Sequence, residues 1–313
     1  MQVHTTGLLL LTAVLSGSAV AAPPKATHAP IYSPAQSVER LITSRQLGEY
    51  RIMISRPRTP APAAGYPVLY VLDGDDYSAP TADLANHLLA GADDNLEPGI
   101  IVAIGYPDDS RRSFDYLPPS PVSPNVERKA DGTPYLDDKW GGADLFLDFI
   151  ENELKPQVER YNRIDKSRQA LFGHSYGGLL AVHALFTRPS MFQTYLISSP
   201  SLSWNGRYIL DEEAAFAGKL QTVKEKITAV VTVGEYEQGM SPAQAQGPDV
   251  EERAARSVRR RSVDSDRELS QRLNALAPQR LTSSFKVFAG QTHGTVALPA
   301  IGYGLPTAFA ARH

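Results

Sequence analysis

Cysteine is absent from the 313-residue chain, which excludes disulfides, thiolate metal sites and cysteine nucleophiles. Basic excess is absent too: 31 Lys and Arg stand against 34 Asp and Glu, a net charge of −3. Nucleic acid binding draws mainly on cationic surplus, so no nucleic-acid partner is expected. No stretch approaches the roughly eighteen apolar residues of a permanent membrane span, so no stable membrane insertion is expected after export. What is present is ordinary for a globular protein, with 42% hydrophobic and 21% charged residues. A chain this long buries enough apolar surface to fold without staples, so the missing cysteines are silent about compartment.

The compartment is read from the N-terminus. Residues 7–15 form a short apolar run, and Ala19-Val20-Ala21 follows as a small-residue cleavage pattern. Residues 1–21 therefore read as a signal peptide, although the preceding segment carries only His4 and no Lys or Arg. Pro23, Pro24 and Pro30 make residues 22–44 a linker, leaving 45–313 as the folded domain. The mature protein is expected to be periplasmic or secreted.

Continuous apolar runs at 66–72, 100–105, 195–198 and 227–233 suit strands buried on both faces of a parallel sheet. Helical spacing of Leu145, Phe146, Phe149, Ile150 and Leu154, and helices near 81–90, 179–186 and 264–276, alternate with them. The expected fold is one α/β domain, a mostly parallel, doubly wound sheet with helices on both faces. Residues 107–140 lack a clear period and read as a long surface excursion, a frequent place for function. The arginine-rich stretch 253–261 reads as a solvated loop or helix face.

One motif carries chemistry. Gly173-His174-Ser175-Tyr176-Gly177 matches G-x-S-x-G, with an apolar strand before it and a helix after it. Glycines there permit a tight strand-to-helix turn that presents Ser175 at the sheet's end as a nucleophile. A serine hydroxyl needs a positioned base at neutral pH. Seven histidines are available. His174 adjoins the serine inside the turn and reads as buried packing, while His183 lies too far along the helix axis. His293, in a glycine-flanked loop after the last strand, occupies the position of the base in the hydrolase chain order. The acid that orients it should follow the strand ending at Val233, which leaves Glu237 as the favoured candidate and Glu235 as its rival. Oxyanion donors are expected at the backbone amides of Tyr176 and of Asp75, the latter just after Asp73-Gly74.

With these residues in hand, the chain resembles the Putative esterase (esterase D-like) branch of α/β-hydrolases. Within it, the likeness is to periplasmic esterases of trilactone siderophores such as enterobactin and salmochelin. The stretches that carry it are Tyr70–Gly74, Arg111–Pro118, Gly173–Leu179, Ser199–Trp204 and Thr292–Gly294. The resemblance implies Ser175 and His293 as the catalytic pair, and makes Arg111, Arg112 and Trp204 candidates for contacting an anionic catecholate–iron substrate. The plain alternative for the two arginines is an ion pair with Asp115 or another acid. The expected activity is that of an exported serine carboxylesterase acting on a small-molecule ester, with no metal or organic cofactor required. General acyl or feruloyl-type carbohydrate esters are the alternative substrates. A silent ligand-binding protein on the same fold is the alternative of another class.

Overall fold

The computed structural model describes residues 37–90, 95–120, 139–248 and 250–311; the expected signal peptide lies outside them. Eight strands form one sheet in the order β1-β2-β4-β3-β5-β6-β7-β8. They are β1 (Ser37–Ser44), β2 (Gly48–Ser55), β3 (Tyr66–Val71), β4 (Ile100–Gly105), β5 (Ile164–His174), β6 (Thr194–Ser198), β7 (Ile227–Gly234) and β8 (Leu281–Phe288). β2 runs antiparallel to both of its neighbours, β1 and β4, and every other pairing is parallel. The expected linker ending at residue 44 is therefore corrected, because Ser37–Ser44 is an edge strand paired along its length with β2. Its side chains are mostly exposed, so it lacks the apolar run by which the central strands are read.

The apolar runs work because alternate residues face opposite layers. Val68, Tyr70 and Leu72 join one core cluster with Leu171, Tyr195 and Ile197, whereas Leu69 and Val71 join a second with Ala170, Phe172 and Leu196. The first layer is covered by helices α3 (Ala143–Phe149), α4 (Lys155–Tyr161), α5 (Tyr176–Thr187), α6 (Ile209–Leu220) and α8 (Ser262–Leu276). A π-helical turn, Ile150–Leu154, joins α3 to α4. The second layer is covered by α1 (Gly74–Ala90) and α9 (Ala297–Phe309). Within the long excursion lies a short helix, α2 (Arg112–Tyr116). The arginine-rich stretch is also helical, as α7 (Val250–Arg260), and none of its described residues is buried.

The topology positions the site. β4 lies on one side of β3 and β5 on the other, so the chain reverses its winding direction at β3. Such a switch opens a crevice at the carboxyl ends of the strands, where ligands bind in open α/β sheets. The turns after β3, β5, β7 and β8 all emerge at that rim.

Candidate active site

Ser175 occupies the single residue between β5 and α5, with φ 58° and ψ −114°. A non-glycine residue at positive φ is strained and persists only where its surroundings hold it. Two glycines make this turn possible. A Cβ on Gly173 would lie 2.0 Å from the carbonyl oxygen of Gly177, and one on Gly178 would lie 2.8 Å from that of Ser198. Backbone bonds pin the serine on both sides: its N–H donates to the Ser198 carbonyl at 3.0 Å, and its carbonyl accepts from Ser201 N–H at 3.1 Å. Tyr176 follows as the first residue of α5, where helical amides have no acceptor within their own helix.

A hydrogen-bonded chain runs from this serine to an acid. Ser175 Oγ lies 3.0 Å from His293 Nε2, and His293 Nδ1 lies 2.6 Å from Glu237 Oε2. Glu237 is itself held: its Oε1 accepts from Ser199 Oγ at 2.5 Å and from Gly234 N–H at 2.9 Å. Burial pushes the Glu237 carboxyl up, but His293 and these two donors outweigh it and hold it below the usual range. A carboxylate with every oxygen engaged can keep an imidazole in one tautomer and stabilise its protonated form.

The remaining sequence candidates fall in different places. Glu235, the rival acid, accepts from Gly290 N–H at 2.7 Å, so it anchors the loop that carries His293. Asp75 lies in the first turn of α1, and its carboxylate accepts from Tyr106 N–H at 2.8 Å and pairs with Arg51. The β3–α1 turn does reach the serine's turn, since a Cβ on Gly177 would sit 3.4 Å from Asp73 Oδ2. Arg112 forms a two-pronged pair with Asp73, at 2.8 and 3.2 Å, and lies over the Tyr176 ring. Its partner is thus Asp73 rather than Asp115. Arg111 is stacked on Tyr50 and Tyr106 and bonded to the Glu49 carbonyl, and among the described residues neither it nor Arg112 lines the cavity, which corrects their reading as substrate contacts. Trp204 lines the cavity beside the serine's turn.

That cavity, about 740 Å³, is lined by Trp140, Tyr176, Trp204, Glu237 and His293 among others. The sequence reading missed its remaining wall. Arg253, Arg256, Ser257 and Arg260 of α7 all line it, so the solvated helix face expected from the sequence is also a cavity face. The helical spacing of those positions was the available signal; nothing in the local sequence shows which way they point.

The Putative esterase family model matches residues 44–272. The chain belongs to this family. The esterase is 36% identical over 263 residues to the Ferri-bacillibactin esterase BesA of Bacillus subtilis, covering 82% of its own chain and 84% of that protein. It is 38% identical over 221 residues to the Siderophore enterobactin esterase of Emericella nidulans, with 66% of its own chain and 70% of that protein covered. Among solved structures, the BES protein of Bacillus cereus superposes with a TM-score of 0.76 at 35% identity, covering 90% of this chain and 98% of that one. These likenesses agree with the eight-stranded α/β-hydrolase sheet.

Two further features of the esterase bear on its histidine. His174 packs ring to ring against His293, with centroids 4.7 Å apart, and its Nδ1 lies 3.1 Å from Ser198 Oγ. Burial, then the facing His293, pushes the His174 imidazole down to about 3 from its ordinary 6.5. It is therefore a neutral platform under His293. His183 sits elsewhere, between Glu212 at 2.8 Å and Asp144 at 3.3 Å. Among the described residues, no group of three or more His, Cys, Asp or Glu is arranged to hold a metal ion.

The His174 arrangement has a consequence for stability. Below about pH 6.5 the unfolded chain takes up a proton at this position that the folded chain refuses down to about pH 3. Stability is thus lost as pH falls through that window. In His174→Gln, the fall in Tm between about pH 7.5 and pH 5 is expected to be smaller than in the parent. Equal falls in thermal melts of the two proteins would remove this account.

Proposed function

We propose that this esterase hydrolyses the ester bonds of a siderophore lactone, with Ser175 as nucleophile and His293 as general base. The observation that carries the mechanism is the unbroken hydrogen-bond chain Ser175–His293–Glu237 at the carboxyl rim of the sheet. Ser175 Oγ attacks the ester carbonyl while His293 Nε2 takes its proton. The negative charge that develops on the carbonyl oxygen is met by the Tyr176 N–H, with the Asp75 N–H in the first turn of α1 as second donor. His293 then gives its proton to the departing alkoxide, leaving an acyl-enzyme. Water, deprotonated by the same imidazole, attacks that ester and restores the serine. Glu237 holds Nδ1 protonated throughout and stabilises the imidazolium.

The substrate class rests on relatives named for siderophore esters and on the cavity itself. Trp140, Tyr176, Trp204 and Tyr236 offer flat apolar faces to an aromatic acyl group. The test is a panel of a cyclic catecholate trilactone, a feruloyl sugar ester and a short-chain aryl ester. The trilactone is expected to have the highest kcat/KM. A feruloyl ester that exceeds it would transfer the assignment to carbohydrate esters, and absence of any hydrolysis would leave a binding protein.

We also propose export, supported by the apolar run at 7–15 and the Ala19-Val20-Ala21 pattern. A mature N-terminus at Ala22 is expected; an intact Met1 in the isolated native protein would overturn it.

A further inference from the structure

The chain just past β6 reaches both ends of the catalytic hydrogen-bond chain. Ser199-Pro200-Ser201 follows that strand, and all three residues line the cavity. At the acid end, Ser199 Oγ donates to Glu237 Oε1 at 2.5 Å. At the serine end, Ser201 Oγ lies 3.4 Å from Ser175 Oγ. The first contact belongs to the hold on the acid. The second touches the atom that reacts, and the steps proposed above leave it without a role. Backbone bonds set Ser201 in place: its N–H donates to the Ser175 carbonyl at 3.1 Å, and its carbonyl accepts from Trp204 N–H at 3.0 Å. Ser199 N–H donates to the Thr232 carbonyl of β7 at 2.7 Å. Pro200 packs on the nucleophile's helix, since a Cβ on Gly178 would lie 3.0 Å from Pro200 Cα.

Counting protons decides which hydroxyl donates. His293 Nδ1 carries its proton towards Glu237, so Nε2 is the acceptor and Ser175 gives it its single proton. Ser175 has none left for Ser201, so the Ser201 O–H donates and Ser175 Oγ accepts. At 3.4 Å this is a long bond between two neutral hydroxyls. Contacts of this kind in a resting site tighten as charge builds on the acceptor.

We infer that Ser201 is a further catalytic residue, whose hydroxyl stabilises the charge on Ser175 Oγ as that oxygen leaves the acyl-enzyme. This rests on Ser175 as the nucleophile and adds a residue for the second half of the reaction. In that half, water attacks the acyl carbonyl while His293 takes its proton. The tetrahedral intermediate then collapses. The bond from the carbonyl carbon to Ser175 Oγ breaks, Oγ takes the electron pair, and His293 Nε2 returns the proton to it. Ser201 keeps its own proton and shares it with Oγ throughout. An interaction speeds a step only by what it gains between ground state and transition state. Before acylation, Ser175 Oγ is a hydroxyl that already accepts from Ser201, so little is gained on attack. In the acyl-enzyme the same atom is the alkoxy oxygen of an ester, a poor acceptor because its lone pair is drawn into the carbonyl. It becomes a strong acceptor as the bond breaks. The gain therefore falls on deacylation.

The experiment follows a short-chain nitrophenyl ester, whose good leaving group makes acylation fast, with the parent, Ser201→Ala and Ser199→Ala. It reads steady-state kcat and KM, and the acyl-enzyme present in acid-quenched samples by intact mass and peptide mapping. Ser201→Ala is expected to lower kcat at least about tenfold. Its kcat/KM should stay within about threefold of the parent, because KM falls with kcat when deacylation limits turnover. Acyl-enzyme at Ser175 should be more abundant and longer-lived than in the parent. Ser199→Ala is the contrast. It loosens Glu237, and His293 serves both halves of the reaction, so kcat and kcat/KM should fall together without accumulation. General damage to the fold would follow this second pattern and would not raise the acyl-enzyme. A joint fall of kcat and kcat/KM in Ser201→Ala, or no rise in its acyl-enzyme while a fluorophosphonate still labels Ser175, would overturn the inference alone. An acyl group recovered on a residue other than Ser175 would remove the nucleophile and this inference with it.

Discussion

Alanine at position 175 is expected to lower ester turnover by at least about a thousandfold in kcat. The substitution removes the only atom that forms the covalent bond and leaves the rest of the arrangement in place. Gly173 and Gly178 still permit the turn, and the backbone bonds of residue 175 to Ser198 and Ser201 use no side-chain atom. Alanine bears the same Cβ as serine, so the strain at φ 58° persists and thermal stability should change little. What remains is cleavage by water polarised at the oxyanion donors, a residual route that nucleophile loss elsewhere leaves open. A fluorophosphonate probe should label the parent and fail to label the variant. Turnover within tenfold of the parent in a purified, folded variant would remove the nucleophile assignment.

Glutamine at position 237 is the second large effect, and here geometry sets the sign. One carboxylate oxygen of Glu237 accepts from Ser199 and Gly234, and the other faces His293 Nδ1. A glutamine that keeps its oxygen towards the first pair must turn its NH₂ towards Nδ1. The imidazole then accepts at Nδ1 and carries its proton on Nε2, the tautomer that cannot take a proton from Ser175. A loss of about a hundredfold to ten-thousandfold in kcat is expected, with KM nearly unchanged. Glu235→Gln is the matched control. Its carboxylate holds the Gly290 N–H of the histidine loop, and a glutamine oxygen can do the same, so the loss should stay under about tenfold. Larger loss in Glu235→Gln than in Glu237→Gln would exchange the roles of the two acids.

The two glutamates illustrate how far local pattern reaches. Both lie just past β7, and either could be named from chain order alone. The choice between them depends on a turn of helix at Glu235–Gln238 that aims one side chain into the rim and the other at Gly290. Ser199, whose hydroxyl fixes Glu237, adopts a positive φ of 44° that no sequence rule for serine anticipates. The arginines divide in the same manner. Arg111 and Arg112 are neighbours in the chain, yet one is stacked among core tyrosines and the other is paired at the end of β3. Arg111 precedes α2 with non-helical backbone and Arg112 is its first residue, so a motif containing both could not show where either side chain goes.

The central strands β3, β4, β6 and β7 were legible because burial on both faces makes them continuous apolar runs. The G-x-S-x-G turn was legible for a steric reason: backbone passes so close at Gly173 and Gly178 that no side chain fits. Those features belong to stretches of a few residues, and the sequence by itself determined them. Edge strand β1 and helix α7 escaped because neither buries an apolar stripe, and hydrophobic patterning is blind to segments held by hydrogen bonds and charge. Only the tertiary structure decided that residues 175, 237 and 293 meet, that His174 lies beneath His293, and that an arginine face closes the cavity. Each of those contacts spans strands whose order in the sheet differs from their order in the chain, or depends on the direction in which a helix face is turned. Packing of the whole domain sets both.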